Sequence, residues 1–259
     1  MLTSPPSVII DTHAHYDHKK FSQDRDKLIK SLPANGIETI INVGCDMPTS
    51  KASVKLADTY AHVYATVGVH PHEAKTLSDE ALQTLGDLCA NPKVLAYGEI
   101  GLDFFHNFSP QDVQHLWFDR QMKLAYELQL PVVIHSRDAH WDTFSVVRNS
   151  PNRRGVIHSF SGDKELALSY TDLGYFIGIS GVITFDKAYQ LQEAVAAIPL
   201  DKILLETDCP YLAPVPNRGK RNDSINLTYV ATAIAKIKNL TPEEICKKTT
   251  ENAKQLFGF

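Results

Sequence analysis

A single-domain TIM barrel, the (β/α)8 architecture, is what this chain of 259 residues predicts. Three observations carry that expectation. Eight short runs rich in β-branched residues alternate with longer amphipathic stretches. Those runs are apolar throughout, as strands of a parallel sheet covered on both faces are. Chemistry-bearing polar residues then gather just past the C-terminal ends of the runs, where barrels keep their functional groups. A doubly wound open sheet, the runner-up, would place a glycine-rich phosphate loop after its first strand. Here that place holds Asp11-Thr12-His13-Ala14-His15.

In order, the first strand is expected at Val8–Ile10, three β-branched residues suited to a buried pleated surface. A helix over Asp24–Ala34 follows, then a strand at Thr39–Val43 and a helix at Thr49–Ala61. The third strand is Val63–Val69, with a helix opening on Ser78 and running to Cys89. Val94–Ile100 is the fourth. Its helix, Ser109–Leu128, is the longest, with Ser109 as N-cap and Pro110 in the first helical position. Val132–Ile134, Gly155–Ile157 and Tyr175–Ile179 precede helices at Ala139–Arg148, Asp163–Leu173 and Asp186–Ala197. The eighth strand, Ile203–Leu205, leads to Ile225–Lys238 and a last helix, Thr241–Phe257. Thr241-Pro242-Glu243-Glu244 combines a cap, a first-turn proline and a glutamate three residues after the cap. No low-complexity linker interrupts the pattern, so one unit is expected over 1–259.

The net charge of −4 argues against a bulk basic nucleic-acid binder, although bound cations could supply positive charge locally. Cys45, Cys89, Cys209 and Cys246 are far apart with no Cys-x-x-Cys, which reads as reduced thiols in a cytoplasmic protein. A signal peptide is not expected, and no apolar run approaches the roughly 18 residues of a membrane span. A monomer is the expectation.

The strand exits hold the chemistry. His13 and His15 end the first; one residue apart on a strand, they share a face. His70 and His72 end the third, Glu99 and Asp103 the fourth, His135 and Arg137 the fifth, His158 the sixth, and Glu206 and Asp208 the eighth. Six of the 11 histidines stand at these exits, a sorting that scattered core histidines would not show. Imidazole with carboxylate suits zinc, manganese or magnesium, depending on how oxygen-rich the site is. His13, His15, His135 and His158 with Glu99 and Asp208 exceed the needs of one tetrahedral ion. Two divalent ions bridged by Glu99 are therefore expected, with Asp208 both a ligand and the acceptor of the attacking water's proton.

These stretches resemble the TatD-related DNase family of the amidohydrolase superfamily. The match is carried by Asp11-Thr12-His13-Ala14-His15-Tyr16-Asp17, Gly68-Val69-His70-Pro71-His72, Gly98-Glu99-Ile100-Gly101-Leu102-Asp103, Pro131–Arg137, His158-Ser159-Phe160-Ser161-Gly162 and Glu206–Pro214. The resemblance implies a TIM barrel and a metal-dependent hydrolase acting on DNA, with 3′–5′ exonuclease action on single strands. It also implies His13, His15, Glu99, His135, His158 and Asp208 as metal ligands. Two stretches depart from the family pattern. Ala14 and Tyr16 stand where cysteine and leucine are frequent, and Asp223-Ser224 follows Asn217–Asn222 where Glu-Pro is common.

Around this set, Arg137, His72 and the basic cluster Arg218, Lys220 and Arg221 are read as substrate contacts, chiefly to phosphate. The bland alternatives are an ion pair for Arg137, a turn hydrogen bond for His72 and simple solvation for the cluster. Glu206 and Asp11 are read as supports that orient the ligands or a water. Asp17 and Asp103 are read as loop-capping carboxylates. Phe104, Phe105 and Tyr211 could stack on bases, with packing as the ordinary alternative. Two rival functions remain: a hydrolase of small esters, lactones or amides using the same activated water, and a non-catalytic binding protein on the same barrel.

Overall fold

In the computed structural model, which describes residues 8–259, eight parallel strands form one sheet in sequence order. They are β1 (Ile9–Ala14), β2 (Ile37–Val43), β3 (Val63–Val67), β4 (Val94–Asp103), β5 (Val132–Arg137), β6 (Gly155–Ile157), β7 (Phe176–Ile179) and β8 (Ile203–Leu205). The sheet closes where Ala14 bridges Cys209. His15 N donates to Cys209 O at 2.8 Å there, and Asp208 N to His13 O at 2.9 Å. The predicted barrel is thus the observed one.

Nine α-helices flank the strands among the described residues: α1 (Arg25–Ser31), α2 (Met47–Thr59), α3 (Asp79–Leu88), α4 (Gln111–Glu127), α5 (His140–Asn149), α6 (Lys164–Asp172), α7 (Tyr189–Ala197), α8 (Leu227–Lys238) and α9 (Pro242–Phe257). Ile10, Ile41, Val43, Ala96, Val133, Val156, Phe176 and Leu204 form an inner cluster, closed by Leu256 and Phe257 of α9. The larger cluster lies between sheet and helices. A core fills the barrel, so chemistry is left to its C-terminal mouth.

Several boundaries move. β1, β4 and β5 continue through their polar exits to Ala14, Asp103 and Arg137, because the ladder to the neighbouring strand persists there. Helix α2 starts before Thr49: Asp46 is its N-cap and accepts from Thr49 N at 2.7 Å. Thr241 and Glu244 do form the expected capping box on α9, a device that contributes about 1 kcal/mol. Ser109 is not the cap of α4; Pro110 holds that position. The Ser109 hydroxyl instead donates to His72 O at 2.8 Å and accepts from Lys75 N at 3.1 Å, tying together the loops after β3 and β4. No helix among the described residues is long and apolar enough to cross a membrane. The four cysteines are free thiols.

Candidate metal centre

Glu99 occupies the middle of the barrel mouth and is almost wholly buried. β4 reaches it through Gly98, whose φ is +153° and whose absent Cβ would press on Val133 of β5. Only glycine combines that backbone with that approach. The two carboxylate oxygens of Glu99 face different partners. Oε2 lies 3.5 Å from His13 Nε2, and Oε1 lies 2.9 Å from His135 Nδ1 and 3.3 Å from His158 Nε2.

The i, i+2 spacing in β1 works as anticipated, bringing His13 Nε2 and His15 Nε2 within 3.2 Å of each other. Asp208 Oδ1 faces both, at 3.8 and 3.3 Å. Asp208 adopts left-handed backbone, φ 55°, which a short polar side chain tolerates better than a branched one.

Hydrogen bonds on the far side of two rings set their tautomers. His15 Nδ1 donates to Val43 O at 3.0 Å, and His158 Nδ1 donates to Glu206 Oε1 at 3.0 Å. In the neutral rings each Nε2 lone pair then faces the mouth. His13 Nδ1 is buried without a partner. Glu206, read from sequence as a support that orients ligands or a water, stands behind the His158 ring. Asp11 serves a different purpose: it accepts from Thr207 N and Oγ1 and from Ser224 Oγ at 3.0, 2.6 and 2.6 Å, stitching β1 to the β8 exit. Its contact with the site is through His13 N, at 3.3 Å.

The electrostatics suit a cation. Burial works against the charge on Glu99, but His158 and His70, with hydrogen bonds from His13 and His135, hold its pKa well below the ordinary range. Burial also disfavours the His15 cation, yet the bond and charge of Asp208 outweigh it and raise the ring to about 9. His158 is raised well above its usual value against burial, by Glu206 and Glu99. His13 is lowered by burial and by the neighbouring His158, on which it stacks at 3.6 Å. Imidazole nitrogens at 2.9–3.8 Å from two carboxylates, with the His15 and His158 tautomers fixed from behind, fit first-row divalent ions.

The cleft above the centre has a volume of about 650 Å³. Arg137 and His72 line it, with the Arg137 guanidinium 4.0 Å from the Phe105 ring centroid. Phe104, by contrast, is part of the core packing, while Tyr211 stands exposed at the rim of the cleft. The basic cluster is not brought to the cleft. Arg221 makes a two-pronged pair with Asp24 at 2.7 Å, Arg218 stacks on Phe185 at 4.3 Å, and Lys220 is exposed. Adjacency to a strand end in sequence does not set the direction of a long loop, and tertiary partners turned this one outward.

Four groups in the site were not assigned to it from sequence. His70 Nε2 is 3.6 Å from Glu99 Oε1, and Cys45 Sγ is 3.4 Å from Glu99 Oε2. Asp103 caps His106 N at 2.9 Å, as a loop-capping role requires, but its Oδ2 also faces His72 and His135. His70 and Asp103 stood at strand exits and could have been found there. Cys45, two residues past Val43 at the end of the second run, and His106, in a loop, were not singled out. Asp17 accepts from Asn42 Nδ2 at 2.9 Å, the structural role read for it.

A parallel barrel with histidines and carboxylates converging at its C-terminal mouth defines a class, the metal-dependent hydrolases. This chain belongs to the TatD related DNase family, whose model matches residues 10–258. A relative from Bacillus subtilis (strain 168), named an uncharacterized metal-dependent hydrolase, YabD, is 39% identical over 252 residues, covering 96% of this chain and 99% of its own. A Klebsiella pneumoniae (strain 342) protein named 3′-5′ ssDNA/RNA exonuclease TatD is 32% identical over 259 residues, covering 97% and 98%. The crystal structure of the TatD homolog YJJV from Escherichia coli K12 superposes with a TM-score of 0.92 at 32% identity, over 98% of this chain and 100% of that one.

Proposed function

We propose that the protein is a divalent-metal-dependent deoxyribonuclease that removes nucleotides from the 3′ end of single-stranded nucleic acid. The observation that carries this reading is Glu99, whose two oxygens face separate imidazole groups beneath an arginine-rimmed cleft. The names of the Klebsiella relative and of a Citrobacter koseri relative at 33% identity support the substrate class.

In this reading His13, His15, Glu99, His135, His158 and Asp208 would hold two divalent ions, with Glu99 standing between the imidazoles of β1 and those of β5 and β6. Bound there, the ions supply Lewis acidity and lower the pKa of the attacking water. Asp208 would accept the attacking water's proton as the new P–O bond forms and the P–O bond to the 3′-oxygen of the preceding nucleotide breaks, that oxygen leaving as the new 3′-hydroxyl with a proton taken from solvent. Glu206 holds the His158 ring in position. Arg137 meets the phosphate at the rim, where its guanidinium lies over the Phe105 ring. Reaction is confined to single strands because the reacting groups lie in a recess: His13 is wholly buried and Glu99 nearly so.

The test is cleavage of a 5′-labelled single-stranded oligonucleotide by purified protein with Mg2+, Mn2+ or Zn2+. A descending ladder that EDTA abolishes and Asp208→Ala lacks is the expected result. Turnover of simple esters, lactones or amides far above phosphodiester turnover would overturn the reading in favour of small-molecule hydrolysis.

A further inference from the structure

The barrel mouth carries two aromatic rings that the reading above leaves without a role. Phe105 and Tyr211 are 57% and 46% exposed. A single exposed ring is ordinary on a protein surface. The placement of these two is not. Phe105 follows β4 directly, and Tyr211 lies on the loop after β8. In a closed barrel of eight strands in sequence order, β4 stands opposite β8. Each ring also has a cation over it, supplied from the next strand round the barrel. Arg137, at the end of β5, lays its guanidinium 4.0 Å from the Phe105 centroid. Lys20, on the loop after β1, holds Nζ 5.2 Å from the Tyr211 centroid. Two aromatic–cation pairs thus stand on opposite sides of the cleft, with Glu99 between them.

Both rings are held although exposed. The His106 ring meets Phe105 edge to face at 4.8 Å. His18 Nδ1 accepts from Lys20 N at 3.1 Å, so the proton of the neutral ring is on Nε2 and is donated to Tyr211 Oη at 3.3 Å. Neither cation is spent inside the protein. Arg120 and Arg221 pair with Asp79 and Asp24, whereas Arg137 and Lys20 make no ion pair among the described residues. A held, solvent-open ring beside an unpaired cation matches the two halves of a nucleotide: the ring stacks on the base and the cation meets the phosphate.

We propose that the two pairs are base-stacking subsites for single-stranded DNA on either side of the scissile phosphate, one for the 3′-terminal nucleotide and one for the nucleotide before it. This rests on the nuclease reading, which supplies the scissile phosphate over the centre. Stacking uses the face that every base has, so little sequence preference follows. Platforms on opposite sides of the mouth need two neighbouring bases drawn apart, which a paired and stacked duplex end resists.

Binding is measured apart from cleavage, by anisotropy with Mn2+ present. The probe is a 5′-fluorescein oligonucleotide whose 3′-terminal linkage is a phosphorothioate, to slow its removal. Phe105→Ala and Tyr211→Ala are each expected to weaken Kd about 5- to 100-fold. Phe105→Tyr and Tyr211→Phe keep a ring and should recover most of that loss. Trp141→Ala removes an equally exposed ring, on α5 and outside the cleft lining, and should leave Kd unchanged. Two further probes lack the base of the last or of the penultimate nucleotide. Phe105→Ala should become insensitive to one of these deletions and Tyr211→Ala to the other, because a ring and its base removed together lose one contact only once. Unchanged Kd in both alanine variants, or losses that simply add at both positions, would overturn the subsites. The expected pattern of Kd without any shortening of an unmodified oligonucleotide would instead overturn the nuclease reading and leave the stacking sites standing.

Discussion

Glu206 Oε1 receives the His158 Nδ1 proton across 3.0 Å, in a pair from which water is excluded. The same oxygen accepts from Ser159 N at 2.5 Å, so ring and backbone are fixed together. Glu206→Ala frees the ring and is expected to weaken metal binding about 10- to 100-fold. Glu206→Gln keeps an acceptor at that place and should recover most of the loss. Gly178 of β7 offers an independent check: a Cβ there would press on the Glu206 carboxylate. Gly178→Ala should therefore reproduce the Glu206→Ala defect in a metal titration. Wild-type affinity in either variant would remove Glu206 from the argument.

Asp208 is the proposed proton acceptor, and its backbone N donates to His13 O. Asp208→Asn keeps the shape and removes the base. The rate of oligonucleotide cleavage should fall about 10²- to 10⁴-fold, with the melting temperature little changed.

Metal uptake should release protons. His15 is raised to about 9 and His158 is also raised, each by the carboxylates it faces, so both rings hold their protons more tightly than a free imidazole. A cation must displace those protons. Affinity is then expected to fall about tenfold per pH unit for each proton released as pH is lowered. Titration calorimetry at pH 7 in two buffers of different ionisation enthalpy measures the number directly. A heat independent of buffer would contradict the assignment.

The Asp24–Arg221 pair is predicted to act on stability alone. Arg221 holds the Asp24 carboxyl below its usual value, chiefly through the hydrogen bond. A depressed carboxyl contributes above its unfolded value near 3.8 and loses that contribution as pH falls through the lower folded value. Both side chains are substantially exposed, so the contribution is under about 1 kcal/mol and is weakened by salt. Arg221→Ala should lower the melting temperature slightly at pH 7 and leave the KM for oligonucleotide unaltered. A several-fold rise in KM would put the loop back in the substrate path.

Arg137 is the complementary case. Arg137→Ala should raise KM for an oligonucleotide with a smaller effect on kcat, and Arg137→Lys should recover only part, because a point charge replaces a planar fork. Steady-state kinetics on one defined oligonucleotide separates the two terms.

Much of this molecule was readable before it was folded. Burial on both faces writes each strand as an apolar run, which ends where the chain leaves the barrel wall; Val132–Ile134 leading into His135 is such a run. Local rules also located Ser78, Asp163 and Thr241 at helix starts, each accepting from a backbone N–H three residues on. They failed at Ser109, whose hydroxyl found better partners in His72 O and Lys75 N, far away in the chain.

The sequence by itself determined the barrel, and it set His13, His15, Glu99, His135, His158 and Asp208 at strand ends, since a ladder of fixed spacing aims side chains predictably. Tertiary structure alone decided which loop residues turn inward. Cys45 and His106 turn into the mouth, while Arg218 and Arg221 leave it for Phe185 and Asp24. The reason is physical. A loop has no internal ladder, so its direction is set by partners distant in sequence, such as Asp24, 197 positions from Arg221.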